Sequence, residues 1–346
     1  MIGNVSRLTT FQECRTKDKY LWEDRLIPNR TPTPLLTGGA VHKGLEVYFK
    51  TNDPKEALDQ LEANYRERIG EMPFILPEEQ AIYEKEIVFS KHAFACWAKH
   101  YLEFGWQVLY PEVTFLIPLP RTEHHCYWMH NLLHPDEPVY RQEYPVTGYS
   151  CSDRRCYMPH YLKGKCDGII QRQGKIWLLE TKTTGADTQP YRDSFQLAIQ
   201  PTAYIYGASR ALGIRINGFV LNIIRKPRSN FMGSIEEHFA KDPFGQEAFL
   251  RSDEDLDRFE YEAKIMWDER ERAHREGIIY MNTKSCINFN RRCHFFDLCQ
   301  RHGERLDGEF LTKPNDYVDE EYYRLAGLEV PVQPKMPALY EEANEQ

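Results

Sequence analysis

The chain has 346 residues, enough for one large domain or two small ones, and its 41% hydrophobic and 28% charged residues suit a packed core in water. No apolar run reaches the roughly 20 residues of a membrane span, and the first twenty residues lack the apolar stretch of a secretion signal, so a cytoplasmic protein without a membrane partner is expected. The net charge of −8 is uneven: residues 313–346 hold eight acids and three bases, whereas 207–228 hold Arg210, Arg215, Arg225, Lys226 and Arg228 without one acid, so total charge does not exclude a polyanionic partner.

In chain order, the pattern predicts a short helix over Leu8–Trp22 around Cys14, then a Thr/Pro-rich turn at Thr31–Pro34. Past Thr37-Gly38-Gly39, helices are expected over Ala40–Lys50, Pro54–Ile69 and Glu78–Phe104, and a strand over Gln107–Pro118. Arg121–His160, rich in His, Cys, Tyr and Pro and without a clear period, reads as an insertion between strands. Strands at Gly164–Arg172 and Lys175–Thr181 precede a helix at Ser194–Leu212, a strand at Asn217–Arg225 and a charged helix at Glu254–Arg275. Strands flanked by helices argue for a mixed α/β fold. We expect one domain over 1–312, helical through 1–104, with a cysteine segment at 280–300 and a loosely ordered, Pro-containing acidic tail at 313–346.

The strongest chemical signal is Gly164-Lys165-Cys166-Asp167-Gly168, then Gln173-Gly174, then Leu179-Glu180-Thr181-Lys182. X-Gly between two apolar runs signals a two-residue hairpin turn. With Gln173-Gly174 as the loop, Arg172 pairs with Lys175 and Asp167 falls opposite Glu180, a pair whose Cβ atoms would be about 4.5–5.5 Å apart. Lys182, two residues on, projects from the face of Glu180. Two carboxylates that close can share a hard cation, and a neighbouring ammonium can offset developing negative charge. The plainer alternative is a surface ion pair on an edge hairpin. Cys166 should point to the opposite face, into the core.

Gly-x-x-Asp followed by Glu-x-Lys resembles the active-site signature of PD-(D/E)XK nucleases. Gly38-Gly39-Ala40-Val41-His42 resembles the Gly-x-x-x-His motif of the RecB-like branch, and Gln200-Pro201-Thr202-Ala203-Tyr204 its Gln-x-x-x-Tyr motif. At i, i+4 those last two side chains share a helix face, with Gln196 one turn earlier. The resemblance implies a restriction-endonuclease-like mixed sheet flanked by helices. Asp167, Glu180, His42 and the Thr181 carbonyl would hold Mg²⁺ or Mn²⁺, Lys182 would assist, and Gln200 and Tyr204 would brace the lysine or contact DNA. Glu112, on the strand before the insertion, is a further acidic candidate.

Nine cysteines in a reducing compartment suggest ligation more than disulfides. Cys286, Cys293 and Cys299 lie together near the C-terminus, with Cys14 far upstream. Resemblance to iron–sulfur nucleases of the RecB-like branch, CRISPR-associated relatives among them, implies that these four hold a [4Fe–4S] cluster stapling a helical cap to the sheet. The loose x6/x5 spacing departs from the tighter pairs of some relatives. A Zn²⁺ site at the same cysteines, with His294 available, and unligated core cysteines stay open. Cys126, His130, Cys151, Cys156 and His160 in the insertion offer a further metal set.

The function so implied is a metal-dependent deoxyribonuclease acting as an exonuclease on single-stranded ends, in recombination, repair or phage DNA processing. Rival readings are a catalytically inactive DNA-binding or scaffold subunit, and a structure-specific or RNA-directed endonuclease. No Gly-x4-Gly-Lys-Ser/Thr motif occurs, so a helicase or recombination partner would be another chain. An oligomer stays open.

Overall fold

The computed structural model describes residues 2–29, 33–72, 75–100, 105–136, 159–185, 187–226, 234–240, 244–288 and 291–312. Ile2–Asn4 (β1) leads into helix α1, Val5–Glu13, N-capped by Asn4. Cys14 is extended (φ −165°) and interrupts the expected opening helix before α2, Arg15–Asp18. After β2 (Leu26–Pro28) come three helices, α3 (Thr33–Thr51), α4 (Pro54–Gly70) and α5 (Pro77–His100). Helix α4 starts where Asp53 accepts from the Lys55 and Glu56 N–H groups with Pro54 behind it, a standard start. The long strand β3 (Trp106–Leu119) precedes α6 (Glu123–Leu133). The inserted segment therefore begins as a helix, whereas 137–158 lie outside the described residues.

Strands β4 (His160–Arg172) and β5 (Lys175–Thr184) form the hairpin, followed by α7 (Gln189–Asp193), α8 (Ile199–Leu212) and β6 (Gly218–Arg225). A short α9 (Ile235–Phe239), strand β7 (Phe244–Leu250) and the long α10 (Asp253–Arg275) complete the main body. Strands β8 (Ile287–Asn288) and β9 (Arg291–Arg292), helix α11 (Phe296–Gln300) and β10 (Phe310–Thr312) follow, with β10 returning to pair with β2. The tail at 313–346 lies outside the described residues.

The described residues form a six-stranded mixed sheet in the order β1-β4-β5-β6-β7, with β3 on the other edge of β4. β1 runs parallel to β4 and β5 parallel to β6, and the other pairings are antiparallel. One face packs against α1, α8 and α10 through Phe115, Cys166, Leu178, Phe219, Leu221, Leu8, Ala203 and Trp267. The other packs against α3, α4 and α5 through Ile170, Leu179, Val220, Val41, Leu61 and Trp97. This is the three-layer solution for a sheet that must be dry on both sides. Helix α8 is seated on the sheet where Gly207 on the helix and Gly164 on β4 clasp the Phe115 ring. A Cβ at either glycine would lie 2.1 Å from it. No described helix is long and apolar enough to cross a membrane.

Candidate active site

The hairpin turns as its residues dictate. Gln173 and Gly174 both have positive φ, 50° and 72°, the backbone of a two-residue turn that matches strand twist. Its register runs from Arg172↔Lys175 to Gly168↔Leu179, and there it stops. Asp167 and Glu180 would make the next pair. Instead β5 follows β6 up to Thr184, while β4 at Tyr161–Lys163 takes β1 on the edge that β5 has left. The strands part like a fork, and both carboxylates stand at its crotch.

Strand β4 is itself irregular at that point. Residues three apart on a regular strand face opposite ways, yet Cys166 and Ile169 belong to the same core. On the neighbouring strand Glu112 has φ +51°, between the pairs Pro111↔Gly168 and Val113↔Cys166. The distortion is shared by both strands, and Asp167 sits at its centre. The expected straight Asp167–Glu180 pairing is thus replaced by a contact one residue further along: Asp167 Oδ2 accepts from the Thr181 N–H at 2.8 Å.

His42, on α3, brings its Nδ1 to 3.0 Å from Asp167 Oδ1. Glu180 is 4% exposed and meets Lys182 Nζ at 2.5 Å through Oε1. Burial raises the Glu180 pKa, and the Asp167 charge adds to it against Lys182. For Asp167 burial would raise the pKa, but His42 and the Thr181 N–H bring it below its ordinary value. His42 titrates above the ordinary imidazole: burial opposes its charge and Asp167 more than reverses that. Lys182 is likewise held charged by Glu180 in spite of burial. Thr181 is anchored from behind, where Asn222 on β6 donates to its Oγ1 at 3.3 Å and accepts from Trp97 Nε1 at 3.4 Å.

Gln200 donates to the Tyr204 hydroxyl at 3.0 Å, as their spacing on α8 allows, and Tyr204 packs edge-on to Phe115. Burial pushes the Tyr204 phenol up, and the Glu180 charge contributes, which places this face beside the carboxylates. Gln196 lies in the turn before α8.

A cleft of about 350 Å³ opens beside Asp167 and His42, lined also by Lys43, Glu46, Arg68, Glu112 and Lys165. Glu112 is engaged by Lys165 and, at 3.8 Å, by Lys50. Arg68 lies over Gly39, where a Cβ would be 2.1 Å from its Nη1, and donates to the Leu35 carbonyl. Gly38 and Gly39 are therefore inside α3 rather than in a turn before it. Of the cleft residues, Lys43, Glu46 and Arg68 were overlooked in the sequence, although Lys43 adjoins His42 and Glu46 is one helical turn beyond it. In the basic stretch, Arg210 pairs with Glu260, Arg215 with Asp253, Arg225 with Asp187 and Lys226 with Glu86. Arg228 lies outside the described residues.

Cys293 and Cys299 pack against a small core of Leu26, Phe295 and Leu298, and Cys14 and Cys286 lie close enough to Cys299 to act on its charge. Extended Cys14 receives the Asn282 N–H at 3.4 Å on its Sγ, and the Glu13 carbonyl accepts from Asn282 and Ser285. The Cys293 N–H donates to the Cys286 carbonyl at 2.8 Å. Burial pushes the Cys299 thiol up to about 11, with Cys293, Cys14 and Cys286 adding to it. All are free thiols. Four thiols gathered this closely suit a cationic centre, which would displace the protons. Likewise, two neighbouring carboxylates, an imidazole and a peptide carbonyl suit a hard divalent ion. Cys166 is buried with its thiol on the Val113 carbonyl. Cys151 and Cys156 lie outside the described residues, and His160 meets His125 instead.

A comparison with curated proteins gives no match. Among solved structures, a crystal structure of a protein from Eubacterium rectale described as a candidate exonuclease is 14% identical, covering 90% of this chain and 89% of that one at a TM-score of 0.45. At that score the likeness adds nothing to the assignment. The sequence pattern of the PD-(D/E)XK nuclease superfamily matches residues 4–300. That span includes the fork, α3, α8 and the late cysteines, and the chain belongs to the PD-(D/E)XK nuclease superfamily.

Proposed function

We propose that the chain is a divalent-metal-dependent deoxyribonuclease of the RecB-like branch, an exonuclease on single-stranded DNA ends. The observation that carries the reading is the convergence of His42, Asp167, Glu180 and Lys182 where β4 and β5 part. His42, Asp167, Glu180 and the Thr181 carbonyl would hold Mg²⁺ or Mn²⁺. Such an ion polarises a phosphodiester and lowers the pKa of water.

The chain's own groups do the rest. The Thr181 N–H fixes one Asp167 oxygen and His42 the other, so the carboxylate is oriented before substrate arrives. Lys182, kept protonated by Glu180, supplies a positive charge where the scissile phosphate gains a negative one. Gln200 and Tyr204 form a polar face on α8 beside this lysine. Lys43, Arg68 and Lys165 line the cleft and would grip the strand through its phosphates, a contact without sequence preference.

Cys14, Cys286, Cys293 and Cys299 would hold a [4Fe–4S] cluster, tying the start of the chain to residues 286–299 and closing a loop of almost the whole domain. On this reading residues 1–312 are one cytoplasmic nuclease domain followed by an acidic tail, working with a separate helicase or recombination protein.

The test is incubation of the full chain with 5′- and 3′-labelled single- and double-stranded DNA, and with RNA, in Mn²⁺ or Mg²⁺. Stepwise shortening of single-stranded DNA from an end is expected. Internal cuts at branched sites, or a preference for RNA, would replace the proposed substrate while leaving the nuclease assignment intact.

A further inference from the structure

The two ends of the inserted segment meet in one buried cluster that the nuclease site does not use. His125 on α6 and His160 at the start of β4 face Asp268 and Glu271 on α10, and the four are 3%, 0%, 6% and 4% exposed. His125 Nε2 lies 3.1 Å from Glu271 Oε2, and its Nδ1 3.7 Å from Asp268 Oδ1. His160 Nε2 lies 3.0 Å from Asp268 Oδ1 and 3.9 Å from Glu271 Oε2. One donor atom each from His125, His160 and Glu271 falls within 4.8 Å of the others.

The remaining neighbours are all held by the carboxylates. Arg121 lies 3.0 Å from Glu271 Oε2, Arg275 3.0 Å from Oε1, and the Thr122 N–H donates to Asp268 Oδ2 at 2.8 Å. The arginines balance the two acids in charge, and both imidazoles are turned onto the same two carboxylates. His160 is fully buried, and its Nδ1 has no hydrogen-bond partner among the described residues, an uncommon state for a buried ring nitrogen. Two imidazoles with carboxylate oxygens in a closed site are a donor set suited to zinc, and the arginines would then act as outer partners of a ligating carboxylate.

We propose that His125, His160 and Glu271, with Asp268 as the fourth donor, hold a zinc ion that fastens both ends of the inserted segment to α10. The site shares no residue with the carboxylate fork or the cysteine group. Its role is structural: it closes the loop formed by the insertion at its base.

The test uses the full chain carrying Asp167→Ala and Glu180→Ala, so that an ion at the fork is not counted. Zinc content and zinc-edge X-ray absorption are measured after dialysis. The proposal expects about one tightly held zinc with nitrogen and oxygen neighbours, and loss of that signal in the further variants Glu271→Gln and His160→Gln. If those variants fail to fold, the parent decides: after chelation, added Zn²⁺ should raise its thermal midpoint. A parent that retains no zinc and gains no thermal stability from it overturns the site. So does zinc whose neighbours are only sulfur.

Discussion

Asp167 Oδ2 accepts a hydrogen bond from the Thr181 N–H at 2.8 Å, in the place where the next rung of the β4–β5 ladder would have formed. A backbone donor that would otherwise pair with a strand thus orients a carboxylate. That arrangement carries the first prediction. Lys182→Met should cut cleavage by roughly 10²-fold or more, the scale of losing one group that stabilises developing charge. Because it also strips Glu180 of its ammonium, the chelated protein should melt lower at neutral pH. Adding Glu180→Gln should restore the melting point without restoring cleavage. Thermal melts and single-turnover rates on the two variants separate the effects.

A second prediction concerns Phe115, clasped between Gly164 and Gly207. Gly207→Ala puts a Cβ where the ring is and should destabilise by about 1–3 kcal/mol, the usual cost of overpacking. It also moves α8, and with it Gln200 and Tyr204, away from Lys182, so cleavage should fall more than the loss of folded protein accounts for. Phe115→Leu in the same chain should recover part of both. Denaturant melts of the single and double variants measure the coupling.

Asp187 gives a pH-dependent prediction. It is bound by Arg192 at 2.8 Å and by Arg225, and so ties α7, with Tyr191, to the end of β6. The Arg192 hydrogen bond, with Arg225, lowers the Asp187 pKa in spite of burial. A depressed folded pKa means stability that is present above the unfolded value, near 4, and lost as pH falls through the folded one. Asp187→Asn should cost about 2 kcal/mol at pH 7, as for a charged hydrogen bond. Its melting point should converge on that of the wild type as the pH drops below about 4.

The cysteine group predicts a spectroscopic result. Cys293→Ser should lose iron and the brown colour of anaerobically purified protein, and should loosen the contacts of Cys14 with residues 282–285. Proteolysis should then begin near the N-terminus. Colourless wild-type protein with zinc at these four sulfurs would replace the cluster by a thiolate zinc site.

The sequence exposed much of this because the signals were local. Gln173-Gly174 requires two positive φ angles, and that alone set the register from Arg172↔Lys175 to Gly168↔Leu179. The i, i+4 spacing put Gln200 onto Tyr204. What stayed hidden depends on partners distant in the chain. The fork at Asp167 exists because β1, three residues long, takes over the edge of β4, and so short a strand has no period to read. The helix was expected to start only at Ala40, because nothing local shows that Gly38 and Gly39 continue it, whereas α3 begins at Thr33. Asp268 and Glu271 lie in a stretch read only as a charged helix, and only the fold brings His125 and His160 to them.

The most direct test of the central claim compares wild type with Asp167→Ala on end-labelled single-stranded DNA in Mn²⁺, with melting curves for both. The account predicts chelator-sensitive shortening by the wild type. It predicts a loss of roughly 10³-fold or more in the variant, which still folds and melts cooperatively. Cleavage by Asp167→Ala at the wild-type rate, or wild-type cleavage that persists in excess chelator, would contradict it.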